Sequence, residues 1–263
     1  MNDFQRSISQ SISWLRFPLI VMVVYIHSRA EIIHAGYTDD YLMLDGITYY
    51  ISNIICSIAV PAFFVISGYL FFFKGCFSMD EYKHKILKRA KTMLFPYIVW
   101  NSIVLLCYYA IQSLAPDMTS GNQKLIADYS MKDFLSAFWD GNKGVPICYQ
   151  FWFLRDLMVV IVLSPFVFKI IFVLKDLFLP VIISLWFILD YALCKGLFAD
   201  LRIEAFFFFS IGAYIAIENA VPKRLERSKL MLCSFVYFLF SAIEIYLYTR
   251  SSNYMGGGKS FVT

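Results

Sequence analysis

From Ile47 to Phe73 the chain runs 27 residues without a charged side chain, and from Thr92 to Pro116 it does so again for 25. A helix needs roughly 20 apolar residues to cross the hydrocarbon core of a bilayer. A soluble helix of that length would have to turn a polar face to water, and neither stretch has one. Composition agrees: 60% of the 263 residues are hydrophobic and 16% are charged, against about 25% charged in an ordinary soluble domain. The expected fold class is all-α, a polytopic bundle of transmembrane helices forming one membrane domain over residues 1–263.

Seven spans are expected, at about 14–33, 47–73, 92–114, 150–173, 177–194, 203–218 and 230–249. The fourth and sixth carry Arg155, Asp156 and Glu204. The first resembles a signal peptide in having a short apolar core, but Ser28-Arg29-Ala30-Glu31 makes a poor cleavage site, so it is read as a retained helix. Cytoplasmic loops retain Lys and Arg during insertion. With the N-terminus inside, the cytoplasmic segments hold 13 Lys and Arg and the exterior segments hold 8. The sharpest contrast is between the acidic turn Asp39, Asp40, Asp45 and the basic segment Lys83, Lys85, Lys88, Arg89, Lys91. The protein is expected in the inner (plasma) membrane, N-terminus cytoplasmic. Topology accounts for the net charge of +4, so no nucleic-acid partner is implied, and no signal for an oligomeric state is present.

The six cysteines fall singly, mostly in apolar runs, and read as small core residues rather than a disulfide or metal framework. The final stretch, Tyr254 to Thr263, reads as the interior of a loop, which predicts that the chain continues. The exterior segment from about 116 to 149 is long enough for small structure of its own and suits either a substrate-facing cover or a plain connector.

Ionisable groups within a bilayer are costly and face a protein interior or a wet cavity. Here they are Arg16, His27, Arg155, Asp156, Asp190, Glu204 and Glu244. Arg16 and His27 are eleven residues apart, about 20° beyond three full helical turns, and so share a face roughly 16 Å apart along the axis. His27 suits proton transfer, although a histidine hydrogen-bonded near the headgroups fits equally. Arg16 alone would read as snorkelling to the interface. With only His27, His34 and His84, on different segments, no metal site is expected.

The segment around Ser67 and Gly68, and that around Gly212, read as close helix packing. The Lys83–Lys91 run reads as a lipid-headgroup loop or as a docking surface for a phosphorylated ligand. Adjacent residues on a helix do not face each other, so Arg155 and Asp156 are expected to contact other helices or substrate rather than one another.

Taken together, Trp14-Leu-Arg16 with His27 eleven residues on, FFVISGYLFF, the basic run into Pro96-Tyr97, FWFLRDL and FFFFSIGAY resemble the integral-membrane acyltransferase-3 family, whose members modify cell-surface glycans. The likeness covers about 14–215, and the Arg16–His27 pair with FFVISGY is its specific part. It implies about ten helices, hence a chain truncated at its C-terminus. It also implies transfer of an acyl group, usually acetyl, from cytoplasmic acyl-coenzyme A to a glycan or lipid-linked hydroxyl. On this reading acetyl-CoA is the co-substrate. Lys88, Arg89 and Lys91 hold its phosphates, Arg16 orients it, and His27 is the base or the acyl-carrying nucleophile. Ser67, Arg155 and Glu204, polar residues in helices that the resemblance places around the site, are expected to bind substrate. Buried charges also describe a transporter or flippase, and the bundle also suits a membrane anchor for a further domain.

Overall fold

The computed structural model describes residues 3–28, 46–73, 78–116, 124–139, 144–193 and 203–218, with Met231, Tyr237, Leu239, Ser241 and Ile243. No strand forms among the described residues. Three of the helices are long and apolar enough to cross a membrane, or four if one bent pair is a single span. The molecule is an all-α, multi-pass membrane protein. His34, Glu244, the turn Asp39–Asp45 and the rest of the 230–249 span lie outside the described residues. The chain divides into two compact units, Met1–Phe63 with Val221–Thr263, and Phe64–Ala220.

In the first unit, helix α1 runs Asp3–Ser28. It begins well before the expected residue 14 because residues 3–13 contain neither Gly nor Pro and continue the stripe of Leu19 through Ile12. Both side chains are buried, and α1 packs on the turns Tyr50–Ile55 and Cys56–Ile58. Its opposite side presents Trp14, Phe17, Val21 and Val24, the apolar surface that a lipid-facing helix requires. The second span is unbroken from Gly46 to Phe72, but its pitch changes, from a π stretch at Tyr50–Ile55 through a 3-10 turn at Cys56–Ile58 to α2, Ala59–Phe72. Where the pitch changes, the Ile54 carbonyl accepts from Ser57 Oγ at 2.9 Å and from Tyr237 Oη at 3.0 Å. Side-chain donors thus serve a carbonyl that irregular winding exposes.

The second unit holds α3 (Met79–Arg89), α4 (Phe95–Leu114), α5 (Met131–Trp139), α6 (Trp152–Val162), α7 (Ser164–Leu174), α8 (Phe178–Leu193) and α9 (Ile203–Ile217). The basic segment is helical and continuous with the span after it: Met79–Leu114 is one helix of 36 residues. Ser78 caps it, its hydroxyl accepting from Glu81 N at 3.2 Å, in the Ser-x-x-Glu arrangement that starts helices. Pro96 is tolerated because a π turn, Ala90–Leu94, changes the hydrogen-bond register immediately before it.

The expected span 150–173 is broken instead at Leu163, where the axis turns by 59°. Pro165 is the cause, since it occupies the first turn of α7 and cannot continue the donor ladder of α6. The freed Val162 carbonyl is capped by Tyr82 Oη of α3 at 2.8 Å. At the end of α2, Lys85 Nζ donates to the Phe71 carbonyl at 2.7 Å and lies 5.2 Å over the Phe71 ring. A cation at a helix C-terminus is favoured by the helix dipole.

The two glycine motifs meet each other. A Cβ on Gly68 would sit 2.0 Å from the Phe209 carbonyl oxygen, and one on Gly212 would sit 2.0 Å from the Val65 carbonyl oxygen. Helices α2 and α9 therefore touch backbone to backbone, each through a residue with no side chain. Phe71 and Phe72 close on Phe209 around that contact, at centroid distances of 6.1 and 6.4 Å.

Candidate active site

On α1, Arg16 is exposed and His27 is half-buried in the last turn. The two border the packed stripe of Ile12 and Leu19, so the shared face that spacing predicts is the edge of the face α1 turns inward. Pro18 lies between them. Lacking an N–H, it leaves the Trp14 carbonyl, two residues before Arg16, without its usual helical donor.

The cations of the basic helix divide between two faces. Tyr82, Lys85 and Arg89 point inward: Lys85 and Tyr82 cap α2 and α6, and Arg89 Nη1 lies 3.8 Å from Met93 Sδ. Lys83, Lys88 and Lys91 are exposed on the other side, an unburied cationic strip at the head of a long apolar helix.

At the far end of α4, residues 124–139 and 144–149 form a folded cap, so this segment is more than a connector. Its core is Leu105, Ile126 and Ala137, with Tyr129, Phe138 and Ile147 packed around them. Three side chains inside the apolar α4 span hold it. Asn101 is fully buried; its amide nitrogen donates to the Tyr97 carbonyl at 2.8 Å and its oxygen accepts from Cys148 N at 3.0 Å. Tyr97 Oη donates to the Phe138 carbonyl. Gln112 Oε1 accepts from Ile126 N at 2.9 Å. Sequence reasoning passed over Asn101 and Gln112, although a carboxamide within an uncharged apolar run is a signal in its own right, because hydrocarbon gives it no partner. Burial pushes the Cys148 thiol up, which keeps it protonated and unreactive at neutral pH.

The fourth holder is Arg155. It and Asp156 are 3% and 6% exposed, and they do pair: Nε and Nη2 each lie 2.8 Å from Asp156 Oδ1. The expectation that adjacent residues would turn to other partners fails because the long arginine side chain folds back along the helix to reach its neighbour. Its Nη1 then donates to the Trp139 and Gly144 carbonyls, and the guanidinium lies 5.5 Å from the Trp139 ring. Arg155→Ala strands a buried carboxylate, a change costing about 3–5 kcal/mol, and should free the cap for limited proteolysis between residues 139 and 148. Lys at 155 should not restore protection, because it lacks the planar fork. Ser67 is half-buried beside Gly68, and Glu204 is exposed in the first turn of α9, where a carboxylate suits the helix dipole.

The start of α5 is a second capping arrangement. Asp133 Oδ2 accepts from Ser130 Oγ at 2.6 Å, Ser130 N at 2.7 Å and Lys124 Nζ at 2.6 Å. The Lys124 ammonium and the two Ser130 donors hold its carboxyl well below the ordinary carboxylate range. Because the folded value lies below the unfolded one, this stabilisation is complete above about pH 4 and is lost only as pH falls through the depressed folded value. Trp139 fluorescence should thus stay flat from neutral pH to about pH 4. A transition centred in the ordinary carboxylate range would contradict the assignment.

An apolar helical bundle, with an exposed cationic helix leading into one span and a clamped cap at that span's other end, defines an integral membrane protein. The chain belongs to the acyltransferase-3 family, whose model, described as an acyltransferase domain, matches residues 9–261. It is similar to the succinoglycan biosynthesis protein ExoH of Rhizobium meliloti (strain 1021), 27% identical over 224 residues, which cover 84% of this chain and 57% of that protein. The chain therefore spans a little over half the length of that curated relative. No solved structure matches it.

Proposed function

We propose that the chain is a membrane O-acyltransferase that moves an acyl group, acetyl in the simplest case, from cytoplasmic acyl-coenzyme A to a hydroxyl of a cell-envelope polysaccharide or glycan precursor. The observation that carries this reading is the acyltransferase-domain match over 9–261, falling on a chain whose first helix sets Arg16 and His27 on one face. The similarity to a protein of succinoglycan biosynthesis supports a glycan acceptor. The N-terminus is cytoplasmic and the membrane is the inner (plasma) membrane, as the Lys and Arg balance favours.

In this reading the exposed Lys88 and Lys91 meet the donor's phosphates, with Arg89 inward of them, and Arg16 orients the acyl end. The imidazole of His27 takes the acceptor's hydroxyl proton as the oxygen attacks the thioester carbonyl. The carbon–sulfur bond then breaks, and the thiolate takes that proton back. Ser67 and Glu204 are further substrate contacts, and Arg155 acts on the acceptor through the cap. The test is transfer of label from radiolabelled acetyl-coenzyme A into envelope glycan by membranes carrying the full-length protein. Label absent with every acyl donor tried would defeat the reading.

A further inference from the structure

Between the cap and α4 lies a half-open cavity of about 270 Å³ whose walls include Tyr108, Gln112, Lys124, Tyr129, Val145 and Tyr149. This lies just below the ~300–1,000 Å³ of small-molecule sites, so it accepts part of a large ligand rather than the whole. Lys124 is neutralised by Asp133 at 2.6 Å, which leaves the walls without an uncompensated charge. Gln112 has its oxygen committed to Ile126 N, which fixes its amide nitrogen as a donor. Tyr108 and Tyr149 are each 49% exposed, so each presents a flat apolar ring, and Tyr108 adds a hydroxyl that donates or accepts.

Flat apolar faces combined with neutral hydrogen-bonding edges complement a sugar ring, which has C–H faces and hydroxyl edges. A nucleotide would need free cations, and a lipid tail would need walls without tyrosine hydroxyls and an amide. Four separate side chains on α4 and α6 tie the cap that forms these walls to the helices. Gln112 lies 21 residues beyond Lys91 on the unbroken helix Met79–Leu114, about 31 Å at 1.5 Å per residue, close to the hydrocarbon thickness of a bilayer. Cationic strip and cavity thus lie at opposite ends of one span.

We propose that the cavity is an acceptor subsite that holds an uncharged sugar residue of the glycan, at the membrane face opposite the cationic helix. It rests on the acyltransferase reading for its role but not for its chemistry. The test is equilibrium binding of fluorescently labelled oligosaccharides, made by partial hydrolysis and O-deacylation of the producing cell's own envelope glycan, to the full-length protein purified in detergent. Tyr108→Ala and Tyr149→Ala should each weaken binding roughly tenfold, the loss of one good aromatic contact. Val145→Trp, which fills the cavity while keeping both tyrosines, should abolish it; monodisperse elution of each variant establishes that it is folded. Wild-type affinity in all three variants, or a wild-type protein that transfers acyl groups yet binds no oligosaccharide, would overturn the subsite. If membranes transfer no acyl group but oligosaccharide binds and Val145→Trp blocks it, the sugar site stands and the acyltransferase reading falls.

Discussion

His27→Ala should lower acyl transfer by about 10²–10⁴-fold, the contribution of a positioned general base. The expectation follows from its setting. His27 is half-buried at the edge of the packed face of α1, and α1 itself is anchored by Ile12 and Leu19, away from the last turn. Removing the imidazole therefore takes away a proton acceptor without emptying the helix contact. The measurement is initial rate at saturating acetyl-coenzyme A, with protein amount normalised by immunoblot. A variant turning over at the wild-type rate would remove His27 from the mechanism. Arg16→Ala should also cripple transfer, but with a larger rise in donor KM, because its assigned part is to orient the donor. If His27 instead carries the acyl group, rapid acid quench of wild type with labelled donor alone should trap label on the protein, and His27→Ala should not.

Gly212→Leu should unfold the second unit in detergent or prevent its accumulation in membranes. Even the first added carbon lands 2.0 Å from the Val65 carbonyl oxygen and 2.8 Å from Tyr69 N. Those are backbone atoms of α2, so no rotamer change relieves the overlap and the helices must separate. Overpacking a core typically costs about 1–3 kcal/mol when side chains can adjust, and this contact belongs at or above the top of that range. Separation would also pull Phe209 from Phe71 and Phe72. Gly68→Ala should behave similarly, since it meets the Phe209 carbonyl at the same 2.0 Å. The check is thermal unfolding of the purified protein, with Ala216→Gly on the same helix as a milder control. A melting temperature within a degree or two of wild type for Gly212→Leu would mean that α2 and α9 are not in backbone contact.

Much of the architecture is legible in the hydropathy pattern of the chain. The uncharged run 47–73 is a continuous helix within one residue at each end, and the helices at 178–193 and 203–217 lie where apolar runs placed them. The departures have local causes that hydropathy alone does not register. Pro165 breaks one span, the capping residue Ser78 extends another through a charged segment, and a polar start without Gly or Pro lets α1 begin at Asp3.

The candidate site is legible in outline and not in detail. Arg16 and His27 share a face because helical periodicity is a property of one segment. The division of Lys88 and Lys91 from Arg89 also follows from periodicity, but which face turns inward depends on Lys85 and Tyr82 reaching α2 and α6. Arg155 stands out in the sequence as half of an adjacent charged pair in an apolar run, whereas its work is to fasten the cap, together with Asn101, which no charge count would find.

Sequence alone determined that the chain lives in a membrane as helices, because transfer of apolar residues into lipid and satisfaction of backbone donors are sums along a single segment. Only the tertiary structure decided that the two glycine motifs are one contact and that four side chains clamp a cap beside a cavity of about 270 Å³. Those facts are distances between residues remote in the chain, and a distance of that kind exists only after the helices have packed.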